Sequence, residues 1–171
     1  GSALMRLRSD AALQENELRL RTIFEASSAG IIVVGIDGRI KQANQRMAEL
    51  FACPLETMIG TSYPDFVHPD ERWQATDLMQ AMMAKKADTV YVERHYFRRD
   101  GGDFWGYLSG RRMVGSNGEF TGLLGIISDI TDRKRAEDEL LWKTALLEAQ
   151  VEASLDGILV VDAQGQRIIT N

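Results

Sequence analysis

Apolar positions first recur with a helical period over residues 9–26, where Leu13, Leu20, Ile23 and Phe24 share one narrow stripe and Glu15, Glu17, Arg19 and Arg21 lie elsewhere. The period then changes. Residues 31–34 are all β-branched and stand between Gly30 and Gly35; Asp37-Gly38 follows as a two-residue hairpin signal, so residues 39–43 are the partner strand. Asn44 caps the next helix, whose apolar face is Ala43, Met47, Leu50 and Phe51 at i, i+4, i+7 and i+8. A second short turn starts at Pro54 and stops at Gly60. His68-Pro69-Asp70-Glu71 opens a longer helix with two carboxylates at the positive end of its dipole, and Lys85 and Lys86 close it with the opposite sign. Its stripe is Ala75, Leu78, Met79 and Met82; Trp73 projects about 160° from the centre of that stripe at about 100° per residue and needs a separate explanation. Three strands over 89–98, 104–114 and 120–128 follow, joined by Asp100-Gly101-Gly102 and Ser116-Asn117-Gly118, which predicts an antiparallel meander. The last helix covers 132–151, with Leu140, Thr144, Leu147 and Val151 in the 4-3-4 spacing of a two-helix seam.

The chain of 171 residues suits one domain and a remainder. Lys plus Arg number 20 against 25 Asp plus Glu, a net charge of −5, which argues against a nucleic acid as the main partner. The single Cys53 excludes an internal disulfide or a multi-cysteine metal site and suits a reducing cytoplasmic compartment. The longest apolar or glycine run, residues 30–36, is far short of the roughly 18 residues that span a bilayer, so no direct membrane contact is expected. Gly1-Ser2 reads as a tag remnant.

One internal repeat stands out. Residues 25–34, EASSAGIIVV, match residues 152–161, EASLDGILVV, and the match runs without a gap through Gly38 and Gly165 to Asn44 and Asn171. A period of that size suits tandem whole domains. The expected organisation is therefore tag remnant and N-terminal helix over 1–17, a complete module over 18–131, a connecting coiled-coil-like helix over 132–150, and the truncated start of a second module over 151–171. Residues 156–171, lacking the rest of their sheet, are expected to be irregular or paired non-natively.

The order hairpin, short helices, longer helix, meander and exit helix resembles a PAS domain, and the motifs resemble the subtype with a PAC segment. They are Gly30-Ile-Ile-Val-Val, Asp37-Gly38, Asn44, Val67-His-Pro-Asp70, Glu93, Arg99-Asp-Gly101, Trp105, Gly118 and Asp129-Ile-Thr-Asp-Arg-Lys-Arg-Ala-Glu137. The resemblance implies an α+β fold: a five-stranded antiparallel sheet with helices on one face, flanked by N- and C-terminal signalling helices. It further implies a bacterial sensory module with a small-molecule pocket between sheet and helices. Such a module forms a homodimer and passes its signal to a downstream output domain of histidine-kinase or diguanylate-cyclase type.

The chemistry along the chain bears on that expectation. His68 and His95 have no Ser or Cys partner, so no catalytic residue is assigned and the chain itself is not expected to be an enzyme. Gly101-Gly-Asp-Phe104 imitates the diguanylate-cyclase signature but lies in a turn of the meander. No metal site is expected. The position of the flavin-reactive cysteine in light-sensing PAS domains, three residues after Gly60, is Tyr63, which excludes a covalent adduct and leaves a non-covalent flavin, and with it a redox-sensor reading, open. Residues 69–86 hold no histidine for a haem, and His68 reads as a cap. Met47, Phe51, Tyr63, Phe66, Met79 and Met82 are candidate pocket lining or ordinary core. Arg94 alternates with Val90, Val92 and Tyr96 on one strand face, so it needs a partner, either a ligand carboxylate or a glutamate on a neighbouring strand. Tyr96 on the same strand, and Trp105 and Tyr107 on the next, are expected to border the same cavity. Asp129, Ile130 and Thr131 are candidate relay residues between sheet and exit helix, and Leu13, Leu20, Ile23, Leu140, Leu147 and Val151 candidate dimer contacts. Arg133, Lys134 and Arg135 precede Glu137, Asp138 and Glu139 by four, the weaker order for intrahelical pairs, so they either tune helix register or are merely solvated. A PAS module serving only as a ligand-free dimerisation spacer is the competing reading.

Overall fold

A computed structural model describes residues 1–153, 157 and 159–170. The chain divides into two compact units, Gly1–Ile130 and Thr131–Asn171. In the first, α1 (Ser2–Ala26) is followed by the hairpin β1 (Gly30–Val34) and β2 (Ile40–Ala43), the short helices α2 (Gln45–Phe51) and α3 (Leu55–Met58), and 3-10 turns at Tyr63–Phe66 and Pro69–Glu71. Helix α4 (Arg72–Met83) then leads to β3 (Thr89–Phe97), β4 (Asp103–Val114) and β5 (Phe120–Asp129). These strands form one five-stranded sheet in the order β2-β1-β5-β4-β3, with every pairing antiparallel. The α+β architecture read from the pattern is therefore present.

Alternation along the strands decides which face is covered. Ile32 and Val34 of β1, Tyr96 of β3, Phe104 and Leu108 of β4 and Leu123 and Ile127 of β5 are buried together with Met47, Phe51, Met58, Phe66 and Met82. Phe51 lies at the centre, edge-on to Phe66, Tyr96 and Phe104 at 5.2, 5.3 and 5.1 Å between centroids, the geometry in which a positive ring edge meets a negative face.

Asn44 ties the first half together. Its Oδ1 accepts from the backbone N–H of Ile31 at 2.9 Å and of Met47 at 3.0 Å. Its Nδ2 donates to the carbonyls of Phe24 at 2.9 Å and Ala29 at 3.1 Å. The predicted cap is thus also a fully buried four-bond link between the end of α1, β1 and α2.

Two helix ends differ from the sequence reading. Helix α1 extends back to Ser2 and buries no residue; Leu13, Leu20 and Ile23 are exposed and Phe24 is half-buried. Helix α4 ends at Met83, before Lys85 and Lys86, because Lys85 takes a left-handed φ of +58°. The cation at its C-terminus comes from β4 instead: Arg112 Nη1 donates to the carbonyls of Met82 and Met83, where the dipole favours positive charge. Trp73 stands on the solvent side of α4, exposed, which accounts for its position opposite the apolar stripe.

The second unit contains α5 (Thr131–Glu152) and the hairpin β6 (Leu159–Val161) and β7 (Arg167–Thr170). Arg133 Nη1 meets Glu137 Oε1 at 2.7 Å and Lys143 meets Glu139 at 2.6 Å, so the basic run does form an intrahelical pair despite its less favourable order. The expectation of irregular or non-native pairing at the end of the chain is corrected over 159–170. The pairs Leu159↔Thr170, Val160↔Ile169 and Val161↔Arg167 reproduce Ile32↔Ala43, Val33↔Gln42 and Val34↔Ile40, with the register shift at the same place. Residues 156, 158 and 171 lie outside the described residues.

Candidate functional site

Register places a depression in the covered face of the sheet. Gly110 of β4 and Gly125 of β5 are directly opposed, flanked by Val90 on β3 and Ile32 on β1. Two adjacent positions without Cβ leave a shallow floor over which Ala75, Leu78, Met79 and Met82 of α4 form a roof. The resulting cavity, of about 40 Å³, is otherwise lined by Val34, Tyr63, Arg94, Leu108, Leu123 and Leu124.

Its only charged lining residue is Arg94, 3% exposed. Arg94 Nη1 reaches the carbonyl of Glu71 at a long 3.4 Å, and its Nε is buried without a hydrogen-bond partner. The glutamate partner expected from a neighbouring strand does not materialise, because Arg94 stands opposite Gly106, while Glu93 and Tyr107 form the adjacent pair. Glu71 instead directs Oε2 to the backbone N–H of His95 at 3.2 Å.

Beside Arg94, the hydroxyls of Tyr63 and Tyr96 meet at 2.9 Å. Burial pushes the Tyr63 phenol up to about 12 against the pull of the Arg94 charge, and Tyr96, buried deeper still, is held well above 10.0. Folded tyrosines that keep their protons where unfolded ones ionise bind more protons than the unfolded chain, so their contribution to stability is full below pH 10 and falls as pH rises towards about 12. In an alkaline titration read by tyrosinate absorbance and far-UV circular dichroism together, this buried pair is expected to ionise only as the fold is lost. Ionisation of all 4 tyrosines with the dichroism intact would refute it.

Of the ten pocket candidates read from sequence, Tyr63, Met79, Met82 and Arg94 line the cavity. Met47, Phe51, Phe66 and Tyr96 are buried in the core and do not line it. Trp105 and Tyr107 require correction: they pair with His95 and Glu93, and directly opposed residues share a face, so both point away from the helices. Trp105 stacks on His95 at 4.9 Å and His95 on His68 at 4.5 Å, while His95 Nε2 meets Asp103 at 2.7 Å. His68 Nδ1 accepts from the N–H of Asp70 at 3.4 Å, as a cap. Ile32, Val34, Ala75, Leu78, Val90, Leu108, Leu123 and Leu124, with the two glycines, are lining residues that the sequence reading does not name; the alternation that places Arg94 also places Val90, and strand register from there leads to Gly110.

A flavin's three fused rings do not fit a space with room for about three water-sized groups. Among the described residues no cluster of three His, Cys, Asp or Glu side chains could hold a metal ion, and no helix is long and apolar enough to cross a membrane. Cys53 is buried.

At the end of the sheet, Asp129 pairs with Gly106 and Ile130 N donates to the Trp105 carbonyl at 2.8 Å. Thr131 begins α5. Leu140 and Leu147 on that helix are exposed, and Val151 is half-buried.

The five-stranded antiparallel sheet with helices over one face defines an α+β module, and a family model described as the PAS fold matches residues 24–135. The chain belongs to the PAS-fold family. It is 32% identical over 104 residues to sporulation kinase C of Bacillus subtilis, covering 61% of this chain and 24% of the kinase. It is 27% identical over 132 residues to the sensor histidine kinase TmoS of Ectopseudomonas mendocina, covering 77% of this chain and 14% of that protein. The chain thus spans a quarter or less of these relatives. Among solved structures, a PAS domain from Colwellia psychrerythraea superposes with a TM-score of 0.61 at 23% identity, over 67% of this chain and 98% of that one. The chain is a signal-transduction module of the kind that sensor histidine kinases carry.

Proposed function

We propose that this module binds a small molecule between sheet and α4, pairs with a second copy through α1 and α5, and passes occupancy through α5 to an output domain in the same polypeptide, of histidine-kinase or diguanylate-cyclase type. The observation that carries the reading is the continuity of β5. Leu123, Leu124 and Gly125 line the cavity, the same strand ends at Asp129, and the next residue, Ile130, is held to β4 by its backbone before α5 starts at Thr131. A ligand that favours one position of β5 over another thereby favours one start for α5, and its effect is bounded by that difference in affinity.

The exposed Leu13, Leu20, Ile23, Leu140 and Leu147 support pairing of the flanking helices, since removing apolar side chains from water is favourable. The matching register of β6–β7 supports reading the end of the chain as the start of a second PAS module in a tandem array. Dense filling of the core by Met47, Phe51 and Phe66, each fully buried, favours the spacer as the second reading.

In the intact parent protein, Asp129→Ala is expected to leave the module folded and to uncouple output activity from the signal, measured as phosphorylation or cyclic-dinucleotide synthesis by the output domain. Regulation indistinguishable from the unsubstituted protein would sink the relay.

A further inference from the structure

An arginine cannot shed its proton inside a protein, so a buried guanidinium is relieved of its desolvation cost only by hydrogen bonds and a counter-charge. Arg94 has a single long bond to a carbonyl, an orphaned Nε, and no ion pair within 4.0 Å among the described residues. Of the two acids on the adjoining turn, Asp70 lies beside His68 and is exposed, and Glu71 accepts from the β3 backbone. Everything else around the cavity except the Tyr63 hydroxyl is aliphatic or glycine.

On the reading that this cavity is the sensory site, we infer that its ligand is a short-chain aliphatic monocarboxylate, bound by Arg94 with the Tyr63 hydroxyl and with its alkyl tail between Ile32, Leu78 and Met82. The planar guanidinium matches a carboxylate edge. A volume of about 40 Å³, room for about three water-sized groups, limits the tail to one or two carbons. A dicarboxylate or a doubly charged phosphate would bury a second charge against aliphatic walls, which excludes both.

The test is an amide chemical-shift titration of this chain with sodium acetate, propionate and butyrate at constant ionic strength, with propionamide as the neutral isostere and succinate as the dianion. Saturable shifts centred on Gly110 and Gly125 are expected, with the favoured carboxylate bound at least about tenfold more tightly than propionamide, the discrimination expected of a charge-assisted pair. Arg94→Gln should weaken binding about ten- to a hundredfold, Arg94→Lys less. Should Arg94→Gln fail to fold, two milder variants carry the test. Tyr63→Phe keeps the ring and removes only the hydroxyl; Gly125→Ala places a methyl 3.1 Å from Ile32 Cγ1, within the floor. Each should weaken propionate severalfold. No saturable binding, equal binding of propionamide, or affinity untouched by these variants overturns the inference. Binding is read here without any output domain, so carboxylate binding with a failed Asp129→Ala test removes the relay alone, and the converse removes only this ligand.

Discussion

Asn44→Asp is expected to destabilise the first unit by about 4 kcal/mol, the cost of a buried charge without a partner. Asparagine serves this position because one end accepts and the other donates. Oδ1 takes the N–H groups of Ile31 and Met47, and Nδ2 supplies the carbonyls of Phe24 and Ala29. An aspartate keeps the first pair and sets a negative oxygen against the two carbonyls, at a fully buried position. Asn44→Ala should cost about 3 kcal/mol, combining a lost helix cap of about 1 kcal/mol with backbone groups left unpaired at about 1–3 kcal/mol each where water cannot replace the side chain. Urea unfolding with an unchanged slope and a lowered midpoint is the expected form, with Asp below Ala. An Asp variant as stable as Ala would mean that the two carbonyls are not held by Nδ2.

Gly122→Ala is the second large effect. Gly122 has a φ of +151°, and a Cβ built on it would lie 2.3 Å from the carbonyl oxygen of Val34, an atom of the β1 backbone that has no rotamer with which to yield. The chain must either give up the local β1–β5 ladder or shift β5, at an expected cost of about 2–4 kcal/mol. Gly118→Ala is the matched control. It too has a positive φ, +77°, but a Cβ there meets nothing within 4 Å, so only backbone strain of about 1 kcal/mol is expected. Equal midpoints for the two variants would show that the contact with Val34 is not what makes Gly122 necessary.

The elements were legible because each has a local cause: the Asp37-Gly38 turn, the Asn44 cap, the two-residue alternation of β3. Partnerships across the sheet were not. Trp105 and Tyr107 were assigned to the cavity from proximity in the chain, and only the pairing of His95 with Trp105 settles that they face the other way. The end of α4 was missed for a related reason, since its cation, Arg112, comes from a strand distant in sequence. Arg94 was legible as an anomaly, because alternation alone put a charge on an apolar face; that it lacks a carboxylate partner follows from register. At 159–170 the turn and the two-residue alternation specify a hairpin register without the rest of a sheet, which the expectation of irregular pairing leaves out.

The Tyr63–Tyr96 contact has a further property. Each hydroxyl owns a single hydrogen, so in a 2.9 Å pair one oxygen gives and the other receives. Tyr63 faces the cavity and Tyr96 does not. With the inferred carboxylate in the cavity, Tyr63 would turn its hydrogen to the ligand and accept from Tyr96; without one, either hydroxyl can be the donor. Occupancy would then be recorded as the polarity of one hydrogen bond, with heavy atoms barely displaced, and Tyr63→Phe would erase that record while preserving the shape that holds the ligand.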